Sequence, residues 1–318
     1  LANSKKMLLR EAGIAPGEWR QTLEGEGETS NIQSFVAQMQ RMNLPNSVFV
    51  DCTSSEAVVK FYPEVLQSAI SIVTPNKLAN SRSYADYQQL KQRAMQAGVK
   101  FLYETNVGAG LPVIRVLQDL KDSGDRVHKI EGVLSGTLSY LFNSFTEGIT
   151  FSDVVRQARE KGFTEPDPRD DLNGMDVARK ILILAREIGV PLELSDVTIE
   201  NILPEACQQA PSVEAFFGAL QKNDTLFEER RQQAEAAGQR LRFIATLEDQ
   251  QASVRLVATD PSHPFYTLSG SDNVISYTTD RYRERPLVVK GPGAGAEVTA
   301  AGVFADLISI SNYLYQDY

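Results

Sequence analysis

The sequence predicts an α/β protein, with a parallel-sheet domain first and an α+β domain after it. Three observations predict this. The apolar runs VFVDC (48–52), SIVTP (71–75) and VKFLYETNV (99–107) have strand length and are separated by segments of helical pattern. That alternation is the mark of parallel strands joined by crossover helices. Residues 112–242 are mostly helical in pattern, and closely spaced strand-like pieces at about 240–290 imply an antiparallel or mixed sheet.

The elements follow in order. LANSKKMLL opens as if entering mid-fold, and QTLEGEGETS reads as an acidic, glycine-bearing loop. No G-x-G-x-x-G turn precedes the first strand. A helix is expected from Ser55 to Ala69, with Ser54 or Ser55 as N-cap and Glu56 in its first turn. SYADYQQLKQRAMQAG (83–98) is the next helix, ending at Gly98. Further helices are expected at 112–123, 137–147, 151–161, 172–188, 211–220 and 224–239, with VHKIEGVLS (127–135) as a strand among them. RLRFIATLED, ASVRLVAT, NVISYTT and PLVVKG supply the second sheet. GPGAGAEVTAAGVFADLISISNYLY is a glycine turn entering a long helix.

Composition removes several classes of function. The 318 residues are 42% hydrophobic and 23% charged, an ordinary globular balance. A formal charge of −9 and the lack of a basic run argue against nucleic acid as a partner. The apolar stretches are too short to span a bilayer, and no signal-peptide pattern opens the chain, so a cytoplasmic protein is expected. Cys52 and Cys207 make neither a disulfide framework nor a metal-ligand spacing, and Cys52, after VFV, is expected to be a buried strand thiol. The two histidines lie at a strand start (His128) and in a turn (His263). A zinc site or a Ser–His–Asp triad would need one of them, so an enzyme working with lysine and carboxylates fits better.

Ionisable groups crowd KGFTEPDPRDDLNGMDVARK (161–180), with five carboxylates and four cations in twenty residues. Asp176 and Lys180 are four apart and share a helix face. They form either a surface ion pair worth about a few tenths of a kcal/mol, or a pocket wall. In a pocket, a carboxylate would hold a substrate ammonium and the lysine would protonate or stabilise an oxyanion. Glu165 precedes Pro166 and is biased toward an extended loop. Asp167 and Arg169 suit a loop-fixing role, and Asp170 or Asp171 a capping one.

Lys77, in TPNKLAN, falls at the C-terminal end of a strand, the side on which open parallel sheets bind ligands. The hydroxyls of VDCTSSE stand at the same edge and suit helix capping or cofactor contact. YETNVGAGLP combines Glu104 with a turn of small residues. Its oxygens suit a hard cation, and its small residues equally suit a close-packed turn. SGTLSY reads as a helix start capped by Ser135 or Thr137, with anion contact open to it. GPGAGAEVT reads as a flexible turn or as backbone near a phosphate or nicotinamide.

Taken in this order, TPNK, ETNVGAGLP, SGTLSY, KGFTEPDPRDDLNGMDVARK and GPGAGAEVTAAGVFADL resemble homoserine dehydrogenase, in the form fused behind an aspartokinase. The resemblance runs from the first residues to the C-terminal helix. It implies a truncated Rossmann-like parallel-sheet domain plus an α+β substrate-binding and dimerisation domain. The implied boundaries are 1–105 with 296–318 for nucleotide, 112–242 for substrate, and 106–111 with 243–295 for dimerisation. The implied reaction is NAD(P)H-dependent reduction of aspartate 4-semialdehyde to L-homoserine, toward threonine, methionine and isoleucine. By matching positions, Lys180 is the proton-donor lysine, open to a purely electrostatic role, and Lys77 the second lysine, near cofactor and substrate. Asp176 and Glu165 bind substrate. Ser4, Thr53, Gly162 and Gly295, with Gly293 beside it, are cofactor contacts. Glu104 and the carbonyls of Val107, Ala109 and Leu111 match a sodium site.

NADP(H) is favoured over NAD(H), because Asn3, Ser4, Lys5 and Lys6 stand where the second strand would end and offer no acid to a ribose. A homodimer is implied, with a tetramer open to the full-length protein. Two departures matter. The family's first strand and glycine-rich loop are absent, which predicts weak or no dinucleotide binding and leaves a dimeric, substrate-binding but inactive fragment as the alternative. Phe163 replaces the tyrosine of many relatives, removing one hydroxyl near the substrate.

Overall fold

The computed structural model describes residues 1–314. They form two compact units: Leu1–Ala79 with Ala85–Leu102 and 307–314, and Asn80–Tyr84 with Tyr103–Asp306.

In the first unit, β1 (Lys6–Met7), α1 (Trp19–Glu26) and β2 (Glu28–Thr29) build a small entry motif in which β1 and β2 pair antiparallel. Two expectations change here. QTLEGEGETS is not a loop: it carries most of α1, anchored by buried Leu23, and all of β2. LANSKK does not end a strand of the parallel sheet; Asn3 Oδ1 accepts the N–H groups of Lys5 and Lys6, both at 2.8 Å, and turns the chain at Ser4. Next comes α2 (Ile32–Met42), capped by Asn31 and ended by Asn43 in the left-handed region.

The parallel sheet consists of β3 (Val48–Val50), β4 and β5, with β4 central. Between β3 and β4 the single helix expected over 55–69 is two, α3 (Glu56–Val59) and α4 (Tyr62–Gln67). Pro63 lacks the N–H that a continuous helix needs there and is tolerated in the first turn of a new one. After β4 (Ser71–Val73) come α5 (Leu78–Ser81), α6 (Tyr84–Ala97) and β5 (Phe101–Leu102), which is short because a 3₁₀ turn takes over at Glu104–Asn106. Tyr62 sits edge-on to Phe49 and Phe101, with ring centroids 6.4 and 5.8 Å apart. Cys52 lies past the end of β3 and is exposed, not a buried strand thiol; Cys207 is the buried one.

The second unit contains α7 (Ile114–Asp122), β6 (Val127–Val133), α8 (Gly136–Ser144), α9 (Phe151–Glu160), α10 (Arg169–Leu172), α11 (Met175–Glu187), β7 (Thr198–Ile199), α12 (Glu205–Gln208), α13 (Val213–Lys222), α14 (Asp224–Ala236), β8 (Arg240–Glu248), β9 (Gln251–Thr259), β10 (Asp272–Thr279), β11 (Leu287–Pro292) and α15 (Ala296–Leu314), whose last residues belong to the first unit. Six strands form one sheet in the order β11-β10-β6-β8-β9-β7, antiparallel except for β7 beside β9. β6 comes from within the helical stretch, so that stretch and the strand-rich one fold around the same sheet, with α8, α11 and α14 packed on it. The guanidinium of Arg242 is buried and donates to the carbonyls of Phe265, Tyr266 and Leu268, holding that loop to the core. His128 contacts Asp280 at 2.6 Å, and His263 lies 3.8 Å from Glu131.

Among the described residues, no helix is long and apolar enough to cross a membrane. Phe151 is fully buried and stacks on Phe227 at 4.1 Å, with Phe142 and Phe145 beside it. Phe151→Ala should therefore lower unfolding free energy by about 3–5 kcal/mol, read as a lower urea midpoint.

Candidate active site

The cluster singled out in 161–180 is a loop, one helical turn and the start of α11. The helix expected over 172–188 is broken at Asn173–Gly174, and neither Asp170 nor Asp171 caps α11. Gly174 stands at the N-cap, and Asn173, just ahead of it, accepts Met175 N–H on its Oδ1 at 2.8 Å. Gly174 has φ +74, and a Cβ there would lie 3.1 Å from Ile199 and from Phe243, so glycine is needed for conformation and for space.

The break lets α11 leave with Asp176 and Lys180 on one face. Lys180 Nζ lies 2.7 Å from Asp176 Oδ2 and donates at 2.7 Å to the carbonyl of Leu134, at the end of β6. Lys180 is 12% exposed and Asp176 48%, so the pair is not a freely solvated surface bridge. An ammonium has three N–H donors, and two are used here.

The loop before α10 is arranged by Asp171. Its Oδ2 accepts Glu165 N–H at 2.8 Å, and its Oδ1 lies 3.0 Å from the Thr137 hydroxyl, which is also 2.6 Å from the Phe163 carbonyl. Burial pushes the Asp171 carboxyl up; the hydrogen bonds from Glu165 and Thr137 oppose this, and the nearby Glu165 and Asp176 charges add to it. Asp167 and Arg169 do fix the loop: the guanidinium grips both Asp167 oxygens and reaches the Ala210 carbonyl. Ser135 caps α8 by accepting Leu138 N–H at 3.2 Å. Phe163 packs on Tyr140 at 4.7 Å, and Tyr140 accepts from Lys161 at 2.9 Å. Sequence reasoning missed Asp171 as an organiser, as well as Thr137 and the Leu134 carbonyl. Only the crowding of acids pointed that way; a carbonyl leaves no trace in side-chain chemistry.

The other expected site residues fall as follows. Gly162, φ +72, ends α9, donating to the Arg159 carbonyl at 3.0 Å. Gly295, φ +121, begins α15, its carbonyl accepting Thr299 N–H at 3.0 Å. Gly293 fits only as glycine, since a Cβ would come within 2.1 Å of Asn273. Glu104 caps α7: its two oxygens accept Ile114 and Arg115 N–H at 2.7 and 2.8 Å. Burial raises the Glu104 carboxyl above its usual range. Val107 and Ala109 are buried beside it, Ala109 in the left-handed region at φ 52, and Leu111 follows. The turn is also close-packed, for a Cβ on Gly302 of α15 would lie 2.5 Å from Thr105 and 3.1 Å from the Ala109 carbonyl.

In the first unit, Ser4 is exposed on its turn. Exposed Thr53 follows β3, its N–H donating to Asp51 Oδ1 at 2.7 Å and its hydroxyl accepting Ser55 N–H at 3.0 Å. Lys77 is half-buried in the turn after β4.

Residues 112–308 match the family model described as homoserine dehydrogenase. The chain belongs to that family. Residues 1–104 match its companion, the homoserine dehydrogenase NAD binding domain, so the first unit carries the nicotinamide-binding part. The chain is 45% identical over 317 residues to a chloroplastic bifunctional aspartokinase/homoserine dehydrogenase of Zea mays, covering 99% of this chain and 34% of that one. It therefore spans about a third of the bifunctional relatives. To the homoserine dehydrogenase of Schizosaccharomyces pombe it is 44% identical over 301 residues, 92% of this chain and 80% of that one. A solved Candida auris protein of unknown function superposes with a TM-score of 0.91 at 36% identity, over 97% of this chain and 88% of that one. A homoserine dehydrogenase of Thiobacillus denitrificans, 21% identical, shares the fold at TM-score 0.75 over 95% of this chain and 64% of that one. Homoserine dehydrogenases are oxidoreductases, so the resemblance read in the motifs holds for fold and family alike.

Two outcomes are expected from the geometry of this family site. Gly174→Ala should destabilise the fold by about 1–3 kcal/mol, visible as a lowered thermal midpoint. Because the folded-state pKa of Asp171 is raised, its contribution to stability is full below the unfolded value and is lost as pH rises through the folded one. Urea unfolding between pH 3 and 7 should therefore show Asp171→Asn losing less stability than the parent as pH rises.

Proposed function

We propose that this chain interconverts L-aspartate 4-semialdehyde and L-homoserine with a nicotinamide cofactor. The observation that carries this reading is the Lys180 ammonium, fixed by Asp176 and the Leu134 carbonyl with one N–H left for a ligand oxygen. When bound, the nicotinamide supplies the hydride. Thr53, exposed at the end of a parallel strand, fits a cofactor contact, as do Ser4, Gly162 and Gly295 by their place in the motifs. A preference for NADP(H) over NAD(H) rests on exposed Ser4 and Lys5, a hydroxyl and an ammonium that suit a 2′-phosphate, and not on a strand end.

Glu165 and Asp176, both exposed, offer carboxylates to a substrate ammonium. Lys180 directs its free N–H to the substrate carbonyl oxygen, stabilises the charge that grows there and delivers the proton. Lys77 is the second lysine of the reaction. Glu104 with the carbonyls of Val107, Ala109 and Leu111 would hold a sodium ion; a set with one carboxylate and hard oxygens suits a monovalent cation. Exposed Val257 and Val288 on the larger sheet support a dimer contact within 243–295.

Homoserine-dependent reduction of NADP⁺ and NAD⁺ at alkaline pH tests the reading directly; a folded chain that reduces neither would overturn it. Lys180→Ala should lower kcat by about 10²- to 10⁴-fold. Glu165→Gln should raise KM for homoserine more than it lowers kcat. Replacing sodium by tetramethylammonium should lower the thermal midpoint of the parent but not of Glu104→Gln.

A further inference from the structure

The C-terminal ends of β3 and β4 are joined by one buried carboxylate that the reaction described above does not use. Asp51 is 2% exposed. Its Oδ1 accepts Thr53 N–H at 2.7 Å. Its Oδ2 accepts the Asn76 side-chain N–H at 3.2 Å and lies 2.7 Å from the Tyr62 hydroxyl. The single Tyr62 proton stands between that oxygen and Thr74 Oγ1, 3.0 Å away. Thr74 donates to the Asp51 carbonyl at 2.8 Å and accepts Asn76 N–H at 2.9 Å. Asn76 is also buried; its side-chain N–H reaches the Ser55 carbonyl at 3.4 Å, and its Oδ1 accepts Leu78 N–H at 3.1 Å. Burial, then the adjacent Asp51 charge, pushes the Tyr62 hydroxyl far above its usual range, so it stays a donor.

A carboxylate this deep needs its donors; besides the Tyr62 hydroxyl of α4, they come from two different loops. One is the backbone of Thr53, the other the side chain of Asn76, which immediately precedes Lys77. Neither loop can shift without leaving a buried charge short of a hydrogen bond, a large penalty in a dry site.

We propose that Asp51 is a positioning residue that couples the Thr53 loop to the Asn76–Lys77 turn, so that one buried anion sets cofactor contact and lysine placement together. The inference rests on the assigned roles of Thr53 and Lys77. Asp51→Asn is nearly isosteric, but its new NH₂ would face the donors of Tyr62 and Asn76. Tyr62→Phe removes one donor and keeps the ring between Phe49 and Phe101.

Two measurements test the coupling. The first is hydrogen exchange by mass spectrometry on native protein, following peptides over 51–56 and 74–79. Asp51→Asn should accelerate exchange in both, by roughly tenfold or more, the size of a lost hydrogen bond to a charged group. Acceleration in one peptide alone overturns the coupling. If Asp51→Asn does not fold, Tyr62→Phe takes its place, with the same pair of peptides expected to respond. The second is a double-mutant cycle in homoserine oxidation. Asp51→Asn should lower kcat and raise KM for NADP⁺ in the parent, and its effect on kcat should vanish in the Lys77→Ala background. Independent, additive losses would mean that Asp51 serves stability only. If the parent oxidises no homoserine, the proposed function fails, and exchange alone still decides whether Asp51 ties the two loops.

Discussion

Helix α11 is buried along most of its length against the larger sheet and α7, and even the charged pair at its C-terminal end is buried with it. Arg186 is satisfied by the carbonyls of Asn80 and Leu192 and by Glu193; Glu187 is satisfied by Tyr103 and Gln118. A buried ion without such partners would cost several kcal/mol, so these bonds fix the rotation of the helix about its axis as well as its depth. Everything chemical at its other end follows from that rotation. Asp176 and Lys180 face the same way because the apolar residues between them are committed to the core.

The loop ahead of α11 works on a different principle. Burial is the main cause that raises the Asp171 carboxyl, and the neighbouring Glu165 and Asp176 charges add to it. Such an arrangement is costly when empty and favourable around a cation. Lys180 offsets part of it from within the protein. A substrate ammonium would offset more, so the charges most expensive to fold are those best suited to hold an amino acid.

Much of this was legible in the sequence. The order of β3, β4, α6 and β5 and of the longer helices and strands of the second unit follows from apolar period and length, whereas α2, β7 and α12 were not read; the Asp176–Lys180 face follows from four-residue spacing. What could not be read has physical reasons. The break at Gly174 depends on Ile199 and Phe243, far along the chain. The helix split at Pro63 was signalled, but apolar continuity concealed it. The α1–β2 segment looked like a loop because its glycines and acids outnumber its apolar residues, yet Leu23 alone gives it a buried face. Cys52 looked like core because it follows three apolar residues, but β3 ends at Val50 and the loop turns it outward. The Leu134 carbonyl and the Thr53 N–H belong to the backbone and carry no sequence signal.

The closeness of α15 to the 104–110 turn bears on how the chain is made. Gly110 lies against Val298, and Gly302 against Thr105, with no room for a methyl group at either glycine. These partners are separated by nearly the whole second unit, and residues 307–314 belong to the first. Neither unit is complete until the stretch beyond 296 has been synthesised. Contacts of such long sequence separation are slow to form. During translation the 104–110 turn therefore waits, incompletely packed, for the late-arriving helix α15. That makes its arrival the step most exposed to aggregation and most open to help from a chaperone.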